Sequence, residues 1–338
     1  MLLKDLTTAC GLPGFEEAVR QIIIKEIEGL VDSLTVDTMG NVIAHKNHHL
    51  KGPKIALSAH MDEVVLCITG YNSDGTLKFA SWGVDPRLLP SSHVYVGKDL
   101  IPGVIGNKPI HLQKASERTT VYTIDGMYID IGCESKEEVE KLVSKGDFAA
   151  FVSEYTEFGK DKIKAKALDD RVGCATIIEV LKMDLPFPIT ALFCVQEEVG
   201  LKGSALLSHS LEADLLLNIE GTISADMDGV EEHAQVTLLG KGPALSLMDR
   251  SSIYLKKYIE AIVAVAEKED IPFQYRRSGM GGTDAGNFHL SQGGIPCIGL
   301  AVPCRYIHSA VSVMDKNDYN NLLKLIKAFI KEWNAERK

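Results

Sequence analysis

Residues 188–200 read PITALFCVQEEVG and place two glutamates, Glu197 and Glu198, directly after a run of apolar residues. The short apolar run predicts a buried strand. A buried carboxylate is costly unless it is paired or binds a cation. Neighbouring side chains of a strand point to opposite faces, so both acids can reach one site only where the strand ends. The stretch therefore predicts a functional site at the end of a buried strand.

Buried strands of this kind alternate with helical patterns over most of the chain. Further apolar runs are KIALSA (54–59), ADLLLNI (213–219) and CIGLAV (297–302), and amphipathic helix patterns cover 13–32, 169–183 and 316–336. Strands that alternate with helices are typical of a sheet covered on both faces. We predict an α/β fold in which a mixed sheet is flanked by helices on both faces.

The pattern changes between residues 67 and 164. Short β-like segments such as TLKFAS and SSHVYVG are separated by glycine and proline, as in GVDPRLLPSS. One helix is predicted at 135–146, where Ser135 and Glu138 form a capping-box pattern. We predict a small β-rich domain at 67–164, inserted into a discontinuous larger domain formed by 1–66 and 165–338.

Composition excludes several classes of protein. Among 338 residues, 36 are Lys or Arg and 46 are Asp or Glu, and this net charge of -10 argues against nucleic-acid binding. No apolar stretch approaches the roughly 18 residues of a membrane helix, and the N-terminus is too polar for a signal peptide. Seven scattered cysteines without a CxxC pair predict free thiols in a reducing compartment. We expect a cytoplasmic protein with no membrane or nucleic-acid partner.

Polar residues stand where several of the apolar runs stop, and ligand sites of α/β sheets lie at strand ends. These residues are His60, Asp62, Asp169, Glu197, Glu198, Glu220 and His308. Each alone has an ordinary explanation, such as a hydrogen-bonded histidine, a helix N-cap or an exposed turn. Together they form a set of oxygen and nitrogen donors that suits zinc, cobalt or manganese. Crowded carboxylates also repel one another unless metal ions neutralise them.

Five motifs occur in the order in which they are found in one enzyme family. They are SAHMDEV (58–64), KALDDRVG (166–173), QEEVGLKGS (196–204), NIEGTISAD (218–226) and YIHSAV (306–311). The chain resembles the tetrahedral aminopeptidases, a family that includes glutamyl aminopeptidases and proteins named cellulase M. The resemblance covers nearly the whole chain, including the predicted insertion.

The resemblance implies a role for each of these residues. His60 and Glu220 would bind one divalent metal ion, Glu198 and His308 a second, and Asp169 would bridge the two. Zinc is the expected metal, with cobalt and manganese as alternatives. Asp62 would hydrogen-bond the far nitrogen of His60. The metals would activate a bridging water, with Glu197 as its general base. The resemblance also suggests a cis peptide bond between Asp169 and Asp170.

The implied activity is a metal-dependent aminopeptidase that removes N-terminal residues from short peptides. A related deacylase or carboxypeptidase-type amidohydrolase is the alternative, because the same ligands serve those reactions. A glycosidase fits poorly, since such enzymes use two separated carboxylates and usually no metal. A non-catalytic scaffold would be expected to have lost a ligand, and none is missing. In the family the insertion forms dimers, and six dimers build a hollow tetrahedral dodecamer.

Substrate contacts stay open at the level of sequence. The glycine-rich segment SGMGGTDAGNFH (278–289) is expected to line the substrate cleft, with Asp284 as a participant. Arg276 and Arg277 would either select an acidic substrate side chain or be surface charges. The chain also departs from many relatives in carrying Glu220 in place of aspartate, and that longer side chain would shift or weaken one metal.

Overall fold

The computed structural model describes residues 1–277 and 281–335, which form two layers of elements around a large sheet and a separate small barrel. The helices are α1 (Leu2–Thr8), α2 (Glu17–Ile27), α3 (Lys136–Val139), α4 (Leu168–Leu181), α5 (Lys202–Ser208), α6 (Lys256–Lys268), α7 (Ala285–His289) and α8 (Lys316–Ala335). The strands are β1 (Ser33–Val36), β2 (Val42–Lys46), β3 (Ile55–His60), β4 (Val65–Tyr71), β5 (Leu77–Trp82), β6 (His93–Val96), β7 (Ile101–Asn107), β8 (Met127–Asp130), β9 (Phe148–Phe151), β10 (Thr156–Phe158), β11 (Lys162–Ala165), β12 (Ile189–Cys194), β13 (Leu215–Ile223), β14 (Ala244–Ser246), β15 (Gln274–Arg276), β16 (Cys297–Arg305) and β17 (Ser312–Asp315).

The large sheet has eleven strands, with β1-β2-β12-β3-β13-β16-β17-β11-β10 in a row; off this row, β14 pairs with β16, and β15 pairs with β14. Its centre, β12-β3-β13-β16, is parallel, and the flanking pairs are antiparallel. Helix α4 packs on β3 and β13, while α6, α7 and α8 pack on β16. The predicted α/β class with a mixed, helix-flanked sheet is confirmed. Strands β3 and β12 are buried at every residue and are mostly apolar because both of their faces are covered.

A closed six-stranded barrel, β4-β5-β8-β7-β6-β9, occupies residues between Val65 and Phe151. It has its own apolar core, separate from that of the large sheet. Strands β10 and β11 lie inside the predicted insertion 67–164, yet they pair with each other and with β17 of the large sheet. Strand pairing thus places the barrel at residues 65–151, which start slightly before the predicted insertion 67–164 and end well before it does.

The helix predicted at 135–146 is only the four-residue α3. The Ser135 hydroxyl accepts the amide N–H of Glu138, as a capping box requires. The Glu138 side chain, however, accepts the amide N–H of Glu134 at 2.9 Å and not that of Ser135. The capping hydrogen bond alone therefore does not extend the helix beyond Val139. Within the described ranges, no helix has the length and apolar character needed to cross a membrane.

The central parallel strands bring the predicted site residues together. Cys194, the last residue of β12, lies opposite His60, the last residue of β3. Glu220 lies in β13, beside β3 and β16. Since parallel strands end at the same edge of a sheet, the residues that follow them meet there. This carboxyl edge carries the candidate site.

Candidate metal centre and active site

Two sets of side chains could each hold a metal ion. The first, here called the buried cluster, consists of His60, Asp169 and Glu220, and the second, the outer cluster, consists of Asp169, Glu198 and His308. Within each set, one ligand atom from every residue lies within 4.8 Å of the others. Asp169 belongs to both clusters, so the structure brings together all five predicted ligands around one shared carboxylate.

The buried cluster is formed by two strand residues, His60 and Glu220, and by Asp169 at the start of α4. The His60 Nε2 atom lies 3.4 Å from Asp169 Oδ1 and 3.5 Å from Glu220 Oε2. Asn218, two residues before Glu220 in β13, donates a hydrogen bond of 2.8 Å to Glu220 Oε1. That bond occupies one oxygen of the glutamate and leaves the other facing His60. The longer side chain at position 220 thus still reaches the cluster.

The outer cluster is more open. His308 Nε2 lies 3.5 Å from Glu198 Oε2 and 3.9 Å from Asp169 Oδ2, and the His308 side chain is 42% exposed. His308 has a left-handed backbone, with φ of 57°. Its Nδ1 atom lies 3.0 Å from the carbonyl oxygen of Gly83, a residue that follows β5 of the barrel. The barrel therefore contacts the site at His308.

The two aspartates at the start of α4 make different hydrogen bonds. Asp170 Oδ1 accepts the amide N–H of Gly173 at 2.9 Å, which is a helix N-cap, and its Oδ2 accepts the amide N–H of His60 at 3.1 Å. Asp169 points instead into the clusters and accepts the amide N–H of Gly221 at 3.2 Å. A Cβ at Gly221 would lie 2.7 Å from Asp169 Cβ, so only glycine fits there. The peptide bond between the two aspartates is cis.

The contacts of Asp62 differ in part from the predicted ones. His60 Nδ1 lies 3.1 Å from the backbone carbonyl oxygen of Asp62 and 3.5 Å from its carboxylate oxygen Oδ1. The two carboxylate oxygens accept the amide N–H groups of Glu197 and Glu198, each at 3.0 Å. Asp62 thus orients His60 mainly through its backbone, while its side chain fixes the turn that follows β12.

A second acid, Glu16, supports the same turn. Glu16 is buried at the N-terminal end of α2, and its Oε1 accepts amide N–H groups of Gly14 at 2.8 Å and Gln196 at 3.3 Å. Together with Asp62 it binds three successive N–H groups, of residues 196 to 198. Gln196 has a left-handed backbone, with φ of 55°, and lets the chain turn so that two adjacent glutamates face one site.

Burial and crowding oppose ionisation of the acids at the site. Burial raises the pKa of Glu197 and of Glu220 well above the usual range, and neighbouring acids add to the effect. Burial likewise raises the pKa of Glu198 to about 7, although the charge of His308 acts in the opposite sense. Asp169 is the exception: burial raises its pKa, but the hydrogen bond and charge of His60, the charge of His308 and the amide N–H of Gly221 together lower it below the usual value. Acids in this state ionise readily only beside positive charge, so the residues present fit divalent cations.

A cavity of about 150 Å³ opens onto the buried cluster. Its walls include residues of both clusters, Glu197, the strands β13 to β16 and part of the glycine-rich segment, namely His60, Asp169, Glu197, Glu220, His308, Ser246, Tyr254, Arg276, Gly281, Gly282 and Thr283. The predicted cleft residues 278–280 lie outside the described residues. Asp284, expected to take part in the cleft, is buried and is not among the described residues that line the cavity; it accepts a hydrogen bond from the Ser204 hydroxyl.

Comparison with known proteins identifies the class of enzyme. A family model described as M42 glutamyl aminopeptidase matches residues 40–325. The Escherichia coli K12 protein named aminopeptidase FrvX is 34% identical over 99% of this chain and 96% of its own length. An aminopeptidase from the archaeon Desulfurococcus kamchatkensis is 36% identical, with a TM-score of 0.93 over 99% of this chain and 95% of that one. The TET1 peptidase of Pyrococcus horikoshii, which can assemble into a tetrahedron or a large octahedral shell, is 35% identical over 97% and 98% of the two chains, with a TM-score of 0.85.

The chain belongs to the M42 glutamyl aminopeptidase family. It is therefore a peptide hydrolase, and the predicted family resemblance is confirmed. Membership of this metallopeptidase family implies divalent metal ions, and the two clusters offer donors for them.

Proposed function

We propose that this aminopeptidase removes N-terminal residues from short peptides, with Glu197 as general base and two divalent cations held by the buried and outer clusters. The observation that carries the proposal is the position of Glu197. Its Oε2 atom lies 4.0 Å from His60 Nε2 and its side chain lines the cavity, yet it belongs to neither cluster. A carboxylate beside the ligands that is not itself a ligand is suited to proton transfer.

The donor set supports zinc as the metal, with cobalt and manganese as alternatives, because imidazole and carboxylate ligands bind all three. When bound, such cations act as Lewis acids on a carbonyl oxygen and make a water nucleophilic near neutral pH. His60, Glu220, Glu198 and His308 would be the terminal ligands and Asp169 the shared one. The amide N–H of Gly221 on Asp169 and the side-chain amide of Asn218 on Glu220 fix these two carboxylates in place.

Glu197 would take a proton from the attacking water and return it to the leaving amine. Burial raises the pKa of Glu197 well above that of an ordinary carboxyl group, which makes its carboxylate a stronger base for that proton. Asp62 holds the amide N–H of Glu197, so the base is positioned by a buried carboxylate that does not enter the reaction. The cavity admits little more than one side chain, which suits an enzyme that acts on a chain end.

The test uses Glu197→Gln, which removes the base and keeps the shape of the side chain. We expect kcat to fall by about 10²- to 10⁴-fold with unchanged metal content, measured by peptide hydrolysis and by elemental analysis. The matched control is Glu157→Gln, at an exposed position of β10 remote from the clusters, which should change neither quantity. Loss of metal together with activity would show that Glu197 is a ligand and would overturn its assignment.

One short peptide, free and N-acetylated, separates the main proposal from its alternative. Stepwise loss of N-terminal residues from the free peptide alone, read by mass spectrometry, is the expected result. Cleavage of the acetylated peptide would point instead to a deacylase or an endopeptidase, and release of C-terminal residues to a carboxypeptidase.

We also propose a cytoplasmic homo-oligomer, in which the barrel forms a dimer and dimers assemble into a tetrahedral dodecamer. The seven cysteines are all free thiols, as is usual in a reducing compartment. Large apolar side chains are exposed on and around the barrel, among them Trp82, Leu88, Val104, Ile110 and Leu112. Exposed apolar surface of this kind marks protein interfaces. Light scattering of the purified protein would give the number of subunits.

A further inference from the structure

We propose that His45, His48 and Thr190 bind one further divalent transition-metal ion, apart from the buried and outer clusters, with zinc as the expected ion. The site lies near the start of β12, whereas Glu197 and Glu198 follow the end of that strand. The inference goes beyond the proposed aminopeptidase activity and does not depend on it.

Three donor atoms converge at this site. His45 Nδ1 lies 3.1 Å from His48 Nε2, and these two ring nitrogens lie 3.2 Å and 3.1 Å from the hydroxyl oxygen of Thr190. Zinc binds imidazole nitrogen at about 2.0 to 2.1 Å, so neighbouring donors around a tetrahedral ion are roughly 3.3 Å apart. The triangle of donor atoms therefore has nearly the size of one face of such a coordination shell.

Hydrogen bonds alone account poorly for this triangle. A threonine hydroxyl has one proton and a neutral imidazole has one N–H, and a hydrogen bond is strong only close to a straight line. Three atoms in mutual contact therefore cannot all be paired well. The rings of His45 and His48 are also tilted by 47°, with their centres 4.1 Å apart. A straight hydrogen bond from ring to ring would separate the centres by roughly 5 Å. One cation in contact with all three donor atoms removes this conflict.

The fold holds each donor in place. His45 of β2 and Thr190 of β12 are paired residues of antiparallel strands, so their side chains stand on the same face of the sheet. The chain turns after β2 at Asn47, which has a left-handed φ of 59°. The backbone N–H of His48 then donates to Asp32 Oδ2 at 2.9 Å, which anchors the loop to the segment before β1. Donors fixed in this way need little rearrangement to bind an ion.

The two imidazoles are in the protonation state that metal binding requires. Burial lowers the pKa of both His45 and His48, and the nearby ring of His48 lowers that of His45 further. Both rings are therefore neutral at pH 7, and each has one nitrogen lone pair. Neutral imidazoles suit zinc, copper and nickel, whereas magnesium and calcium prefer oxygen ligands.

A cavity of about 700 Å³ opens onto the three donors and has room for an ion and for the water that would complete its coordination. Apolar side chains from β2, β12, α5 and the segment after α5 form part of its wall, namely Ile43, Leu192, Leu207 and Leu211. Among the described residues, none lines both this cavity and the one at the buried cluster. An ion at His45 and His48 would thus bind separately from the ions of the two clusters.

The experiment counts zinc ions per subunit by elemental analysis after equilibrium dialysis against buffered zinc. We expect the wild type to bind one ion more than a double variant with His45→Gln and His48→Gln. Peptide hydrolysis by the double variant should stay within about twofold of the wild type, because the site is remote from the clusters. Thr190→Val keeps the shape of the side chain and removes the hydroxyl, and it should weaken binding of this ion by about tenfold.

The matched control is His49→Gln. His49 is the next residue of the same loop, its side chain is 69% exposed, and its Nδ1 atom lies 3.7 Å from Asp32 Oδ2. This variant also removes one histidine, yet it should bind as many zinc ions as the wild type. Dialysis against magnesium in place of zinc should show no difference between the wild type and the double variant.

A second measurement needs no variant and therefore holds even if the double variant fails to fold. Diethyl pyrocarbonate acylates neutral imidazoles, and mass spectrometry of peptides locates the modified residues. Zinc should protect His48, which is exposed, and leave His49 as reactive as before.

Equal zinc content in the wild type and the double variant, or equal modification of His48 with and without zinc, would overturn the inference. Either outcome would leave the proposed aminopeptidase intact, because that proposal is tested separately by Glu197→Gln.

Discussion

The buried and outer clusters share Asp169 but are built in different ways. In the buried cluster, His60 ends a central strand, its side chain is 2% exposed, and Asp170 accepts its backbone N–H. In the outer cluster, His308 lies in the loop after β16 in a left-handed conformation, is 42% exposed, and faces a carbonyl oxygen of the barrel. One set of ligands thus belongs to the core, and the other includes a histidine in an exposed loop that lies next to the barrel.

This difference has consequences for metal binding. Ligands that are held by packed strands and by hydrogen bonds lose little freedom when they bind a cation, so binding there is favoured. Ligands in open loops have more freedom to lose and let water reach the cation. We therefore expect the buried cluster to retain a metal ion more firmly, and the outer cluster to exchange its metal ion more readily. The following predictions test that contrast, beginning with the change that should remove it.

Asp169→Asn should have the largest effect, because it weakens the one carboxylate that both clusters need. We expect both metal ions to be lost and kcat to fall by about 10³-fold or more, since cation and base then no longer act together. Elemental analysis after dialysis and peptide hydrolysis would measure the two effects. Asp170→Asn is not a suitable control, because Asp170 holds both the start of α4 and His60. Asp161→Asn, in the turn between β10 and β11, is a suitable control.

A matched pair, Glu220→Gln and Glu198→Gln, should separate the clusters. Each variant impairs one cluster and leaves three donors in the other, so each should retain about one metal ion per subunit. The ion retained by Glu198→Gln lies in the buried cluster, and it should resist a chelator about 10- to 100-fold longer than the ion retained by Glu220→Gln. Time courses of metal release would show the difference. Equal release rates would mean that burial does not decide retention here.

Much of this arrangement could be predicted from the sequence. The apolar runs of β3, β12 and β13 are clear because strands covered on both faces are apolar throughout. The acids and histidines that end them stand out for the same reason. The shared edge of parallel strands then brings together residues as distant in sequence as His60 and Glu220.

Other features depend on pairings that no local pattern contains. The pairing of Lys162 with Asp315 joins β11 to the large sheet over 153 positions, so composition alone assigned this segment to the insertion. Glu16 looks like an ordinary acid at the start of a helix, and only the fold brings it to Gln196. The same holds for the Asp62 carboxylate and the amides of Glu197 and Glu198. Such contacts between side chains and distant backbone leave no periodic signal.

Gly83→Ala should have the smallest effect and reach the outer cluster alone. Gly83 has a φ of 78°, and an added Cβ would lie 3.0 Å from Val64 Cγ1 and 3.5 Å from Glu198 Oε2. The backbone would have to shift, and with it the carbonyl oxygen that faces His308 Nδ1. We expect the metal affinity of the outer cluster to fall by about tenfold. This is the lower end of the range for losing a hydrogen-bond partner of a metal ligand. The metal affinity of the buried cluster should not change.

The control for that variant is Gly146→Ala in the same barrel. Gly146 also has a left-handed φ, of 91°, but nothing lies within 4 Å of an added Cβ. Both variants should lower the free energy of unfolding by about 1 to 3 kcal/mol through backbone strain, and only Gly83→Ala should release metal from the outer cluster. If Gly146→Ala released it equally, the barrel as a whole would stabilise His308, and the contact at Gly83 would not be the reason. If neither did, the outer cluster would hold its metal ion independently of the barrel, and the contrast between the two clusters would lie in solvent exposure alone.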